Sequence, residues 1–160
     1  MGLTIKTDGL DSLAQMLAEA ANKAQDVASG ALFDGAGIVA DALNAGINSI
    51  QTEPFKYAAK GETRLPSPEE KAALDRKIGI ARFRKNGGEV DTLIGLQNAG
   101  YANVAGKQKA VAVIARSINS GTSFMKRQPV FRKGKNKAQG AAKDAMVAKA
   151  EKMLEEIIKG

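Results

Sequence analysis

The 160 residues include no cysteine, no histidine and no tryptophan. Without Cys there is no disulfide framework, no thiol nucleophile and no thiolate metal site, a pattern that suits a reducing compartment. Without His, the usual proton carrier near neutral pH and the commonest transition-metal ligand are both missing. The expectation is a protein that is not an enzyme and carries no cofactor or metal. The chain also lacks GxxxxGK[ST], GxSxG, HExxH and any GxGxxG following a strand. Long apolar runs are missing too, with no window near the roughly 18 to 20 residues needed to span a bilayer. Asp8 and Asp11 stand where a signal peptide would be apolar, so an unexported chain with no membrane contact is expected.

Large apolar groups are scarce. Hydrophobic residues make up 44% of the chain, yet there are only five Phe and two Tyr, so much of that share is Ala. Helices built from it pack closely, and subunit contacts would help complete the core. The length suits a single domain over residues 1 to 160. Charge is unevenly spread: residues 1–60 hold four Lys or Arg against seven Asp or Glu, and residues 61–160 hold twenty against ten. Halves of −3 and +10 suggest opposed faces, which head-to-tail assembly would use.

Leu3 to Lys6 reads as a short strand ended by Asp8-Gly9, with Asp8 as the cap of a helix. Leu10, Leu13, Leu17, Ala20, Ala24 and Val27 form one stripe at helical spacing, which Gly30 breaks or bends. The helical period resumes through Ala36, Leu43 and Ile47, with Gly35, Gly37 and Gly46 inside it. These glycines mark either a close contact to a sheet or subunit, or a weakly stable surface helix. Residues 51–75 hold three of the four Pro and read as a long loop excursion, with a short helix starting at Ser67-Pro68. Such a segment could be disordered in a solitary subunit, and its Glu69 and Glu70, like Glu155 and Glu156, read as solvated helix positions.

Ile78 and Ile80 then begin a period of two, and Asn86-Gly87-Gly88 signals a hairpin whose return strand runs from Val90 to Gln97. Gly100 and Gly106 bound another turn. Residues 110–119, AVAVIARSIN, read as the strongest strand, apolar on both faces. A helix follows from Lys135, with Met146, Ala150, Met153 and Ile157 on one stripe. The expected architecture is α+β: an antiparallel sheet of about four strands packed against a long bent N-terminal helix and a C-terminal helix.

One stretch concentrates the chemistry. Residues 117–137, SINSGTSFMKRQPVFRKGKNK, carry Lys126, Arg127, Arg132, Lys133, Lys135 and Lys137 with no acid among them. As a nucleic-acid site these cations would neutralise backbone phosphates. Only Phe124 and Phe131 interleave them, so a solvated loop ahead of a helix is the plainer reading, with weak contact to duplex DNA or an acidic partner left open. Pro129 fixes an extended entry and Phe131 offers a ring that locks the loop to the body or plugs a neighbour.

The same residues carry a resemblance. Gly9-Leu10-Asp11-Ser12-Leu13 looks like a GLDELxxxL helix start, residues 74–80 look like LRxSIxV, and residues 118–132 look like EFGTSxMxxxPFxRPA. In this order they resemble the head-tail joining proteins of long-tailed double-stranded-DNA bacteriophages, also called tail-completion, tail-terminator or neck proteins. Asn119 stands where that pattern has Glu, and Val130 is inserted between Pro129 and Phe131. The resemblance implies a structural virion protein, assembled in the host cytoplasm, whose subunits form a homo-oligomeric ring, commonly a hexamer. Such a ring joins the tail tube to the neck or connector, with the genome passing through it. Gly121, Thr122, Ser123, Phe124, Met125, Pro129, Phe131 and Arg132 would then form an interface, with Lys126, Arg127, Lys133, Lys135 and Lys137 facing DNA or an acidic neighbour. The alternative is a small basic nucleic-acid-binding protein.

Overall fold

The computed structural model describes residues 10–75, 77–86, 89–97 and 100–159. The strand expected at residues 3–6 and its cap Asp8 lie outside them. Helix α1, Leu10–Asn48, runs without interruption through Gly30, so of the two expected outcomes there, a break or a bend, the break does not occur. Its buried side chains include Val27, Ala31, Ala36, Ala40, Leu43 and Ile47. Most of these are three or four apart and form the apolar stripe that a long surface helix must cover.

The chain then crosses residues 51–67 to a short helix α2, Pro68–Ala72. Strands β1, Ile78–Ile80, and β2, Arg84–Asn86, are followed by β3, Glu89–Asp91, and β4, Ile94–Leu96. These four make one hairpin arm, β2 pairing with β3 and β1 with β4; the Gly87-Gly88 turn expected between β2 and β3 lies outside the described residues. Ile80 pairs with Ile94 and Arg84 with Asp91, so three residues on the outgoing side face two on the return. That one-residue excess is a β-bulge, and it splits the arm into two ladders. Ala81 N–H still donates to Leu93 C=O at 2.8 Å across the gap, and the Thr92 hydroxyl donates to Ala81 C=O at 2.8 Å.

A second hairpin follows from β5, Tyr101–Val104, and β6, Lys107–Ala110. Its two-residue turn has Ala105 at φ 51° and Gly106 at φ 75°, both left-handed, which matches the twist of the strands it joins. Residues 111–120 correct the sequence reading: they form helix α3, Val111–Ser120, and not a strand. Val111, Ile114, Ala115 and Ile118 are buried at spacings of three, one and three, while Val113 is 62% exposed. A strand would have put Val113 on the same side as Val111 and Ala115. The α+β class holds, with long N-terminal and C-terminal helices. Among the described residues the strands form three two-stranded antiparallel ladders in place of one sheet of about four.

Helix α4, Val130–Lys159, begins five residues earlier than the sequence suggests and packs antiparallel along α1. A Cβ at Gly35 would meet Met146 at 2.5 Å, and one at Gly134 would meet the Ala42 carbonyl oxygen at 3.0 Å. Gly46 likewise lies against the Val130 backbone. These glycines therefore mark close helix-helix contact, which neither the sheet nor a second subunit supplies. Gly37 has open space around it. The main core gathers where the end of α1 meets the start of α4, with Ile47, Ile50 and Val130 packed among Leu74, Val104, Ile118 and Met125.

Residues 51–75 are packed onto this body. Glu53 N–H donates to Pro66 C=O at 3.0 Å, and Arg64 forms a parallel bridge with Met125. Lys71 Nζ donates to the carbonyls of Asn48 at 2.7 Å and Ile50 at 3.1 Å, closing the end of α1 with a cation where its dipole is negative. The segment needs no neighbouring subunit for these contacts.

Candidate functional site

Segment 121–130 leaves α3, crosses the body and feeds α4. Gly121 ends α3 at φ 76°, a conformation that suits glycine, and a Cβ there would also meet Arg127 at 3.0 Å. The Thr122 hydroxyl accepts from the N–H groups of Met125 at 3.0 Å and Phe124 at 3.3 Å, while Thr122 N–H donates to Met125 C=O. The resulting tight turn drives Met125 into the core, where it is 2% exposed, and leaves Ser123 and Phe124 outside.

From there the strand-like path is held on both sides. Arg64 N–H donates to Phe124 C=O at 3.0 Å and Lys126 N–H to Arg64 C=O at 2.8 Å. The Gln128 side-chain amide pairs with both backbone groups of Gln51 at 2.9 Å, and Gln128 N–H donates to Ile118 C=O at 2.8 Å. Pro129 then starts α4: its own carbonyl accepts from Lys133 N–H at 3.0 Å.

Asn119 has a defined place in this junction. Its side-chain oxygen accepts from Phe131 N–H at 3.2 Å, so α3 supplies the N-terminal cap of α4. Asn119→Ala is expected to lower stability by about 1 kcal/mol in urea unfolding, with Asn119→Asp retaining most of it. Phe131 itself is half-buried, packed against the core beside Asn119 and Ala115, so locking to the body is its visible role.

The six cations of the run separate into two sets. Lys126, Arg127, Lys133 and Lys137 converge on one cleft between the last third of α1 and the first turns of α4. Arg132 and Lys135 are exposed outside it. The interface set expected from the sequence is likewise divided: Met125 is buried, Gly121, Thr122, Pro129 and Phe131 are half-buried, and Ser123, Phe124 and Arg132 are exposed.

Beneath the segment lies a charged centre that the sequence reading missed. Glu70, read as solvated, is 1% exposed and takes a two-pronged contact from Arg64, Nη1 to Oε2 at 2.6 Å and Nη2 to Oε1 at 2.7 Å. Ser67 and Glu70 complete a capping box at the start of α2, each side chain accepting from the other's N–H. Lys109 Nζ from β6 reaches Glu70 Oε1 at 3.3 Å. Phe55 covers the group, with the Arg64 guanidinium carbon 4.9 Å from its ring centre. Burial pushes the Glu70 carboxyl up, but Arg64, the Ser67 N–H and Lys109 together outweigh it and hold it below its ordinary value. Every oxygen of this centre is engaged in the fold, so its chemistry is structural. Its visible signal was the S-x-x-E spacing of Ser67 and Glu70 ahead of an apolar position.

Among the described residues no three His, Cys, Asp or Glu side chains are grouped so as to hold a metal. No helix among them is long and apolar enough to cross a membrane. Compared with protein-family models, with curated proteins and with solved structures, the chain matches none.

Proposed function

We propose that this chain is a structural, non-enzymatic subunit of a long-tailed bacteriophage particle, forming a homo-oligomeric ring that joins the tail tube to the neck. The phage assignment rests on the sequence resemblance in residues 9–13, 74–80 and 118–132. The observation that carries the oligomeric part is uncovered surface. The chain exposes 11233 Å² of accessible area. A compact chain of 16.7 kDa exposes about 7,600 Å². Tyr57, Leu93, Tyr101 and Val113 are each more than 60% exposed. Among the described residues, three two-stranded ladders also leave backbone edges open, and a two-stranded hairpin is marginal until something covers it. Neighbouring subunits would cover all three kinds of surface at once.

A second reading, a small basic nucleic-acid-binding protein, is favoured by the net charge of +7 and the gathering of four cations at one cleft. One experiment separates the two. Light scattering on the size-exclusion peak, with negative-stain imaging, is expected to give closed rings of a single mass that decorate one end of phage tails. A monomer that binds duplex DNA near physiological salt and never joins tails would overturn the ring reading. Tyr101→Lys, on an exposed ladder edge, is expected to lower the ring fraction while leaving the circular dichroism spectrum unchanged.

A further inference from the structure

The cleft between α1 and α4 has an apolar floor and a rim of one charge sign. Ile38, Ala42, Ala45, Leu65, Val130 and Ala138 make the floor of a cavity of about 660 Å³. Lys126, Arg127, Lys133 and Lys137 stand around it, all four exposed, and no Asp or Glu lines it. Among the described residues none of the four has a carboxylate within 4.0 Å. Lys133 and Lys137 are one helical turn apart on the same face, where like charges repel unless an anion stands between them.

We propose that this cleft docks an acidic segment of a different protein, one whose carboxylates meet the four cations while an apolar side chain between them fills the floor. Charge complementarity selects the acidic partner, and the floor selects polypeptide over nucleic acid. A DNA backbone would satisfy the cations but has nothing apolar to place in the recess. No aromatic side chain lines the cleft for an unpaired base to stack on. A second copy of this chain is a poorer match, since two acids of its N-terminal half, Asp26 and Asp34, already pair with Lys85 and Lys149. The far end of the same helix pair, residues 149–156, carries Lys149 and Lys152 among Glu151, Glu155 and Glu156, so it lacks an unbroken acidic face. The inference stands whether or not the chain forms a ring.

The test is fluorescence anisotropy on the full chain with four labelled probes. One is a synthetic peptide of Glu and Asp carrying two Leu one helical turn apart. The second has every acid replaced by its amide, the third has both Leu replaced by Ser, and the fourth is a short random-sequence DNA duplex. The acidic Leu peptide is expected to bind with an affinity that falls with salt, and the second and third probes to bind about tenfold more weakly or worse. Lys133→Glu with Lys137→Glu is expected to lose binding by at least about tenfold as well. Ala45 is an exposed floor position, so Ala45→Glu should keep the melting temperature while losing the peptide. Equal binding of the peptide to these variants would overturn the proposal. So would tighter binding of the duplex at the same salt, or a cross-link placing a second copy of this chain in the cleft.

Discussion

Glu70→Gln is expected to destabilise the protein by about 3 to 5 kcal/mol, because it leaves the buried Arg64 guanidinium without its counter-charge. The loss should be visible as a lower midpoint in urea and in heat. Replacing both partners, Arg64→Met with Glu70→Met, should cost less than either single change, since no stranded charge remains. The pair also sets a pH dependence. The folded Glu70 carboxyl lies below its ordinary value, so the native state binds this proton less readily than the unfolded chain does. Its contribution is full above the unfolded value of about 4.3 and drains away as pH falls through the lower folded value. The stability gap between the native chain and Glu70→Gln should therefore be constant from neutral pH down to about 5 and narrow below about 4. A gap that stays the same into acid would show that the folded Glu70 carboxyl is not held below its unfolded value.

Neighbouring positions in α3 give the second large effect. Ile114 is 3% exposed, so Ile114→Asp removes a core side chain and buries an unpaired carboxylate, an expected loss of more than about 4 kcal/mol. Val113→Asp, one residue away, should change stability by less than about 0.5 kcal/mol. It points outward and adds an acid to the first turn of a helix that has none there. If residues 111–120 were extended, Val113→Asp would bury a charge beside Val111 and Ala115 and damage the fold severely. Chemical denaturation of the two variants side by side therefore tests helix against strand without further structure determination.

The contrast at α3 also shows where the sequence is ambiguous. Val111, Ile114, Ala115 and Ile118 keep a helical period, but Ala112 and Val113 fill the gaps with apolar residues, and the β-branched side chains favour a strand. Packing against Ile47, Leu74 and Met125 decides the matter, and those partners are distant in the chain. The antiparallel pairing of β2 with β3 was legible because the turn signal between them is local in the sequence. The β5–β6 hairpin was not, because Ala105 takes a left-handed backbone that its residue type does not announce. Gly35, Gly37 and Gly46 could be read as a close contact, yet nothing local says that α4 supplies it, that Gly37 is left out of it, or that Gly30, read as a break or bend, joins it. In the basic run, the four-residue spacing of Lys133 and Lys137 places both on one face, and Lys135 falls opposite. Lys126 and Arg127 join them through contacts distant in the chain, the Arg64 backbone on Phe124 and Lys126 and the Gln51–Gln128 pairing across 77 positions.

The pairing of α1 with α4 sets an order of events during synthesis. Residues 30–46 pack against residues 130–153, so roughly one hundred positions of chain must emerge before the N-terminal helix meets its partner. Closing a loop of that length costs about 4 kcal/mol of chain entropy beyond a fixed term, and at ribosomal speeds of 5 to 20 residues per second the wait lasts about 5 to 20 seconds. Throughout it the face of α1 that packs on α4, Leu43 included, lies uncovered, so the nascent chain passes through a sticky state that the arrival of α4 brings to an end.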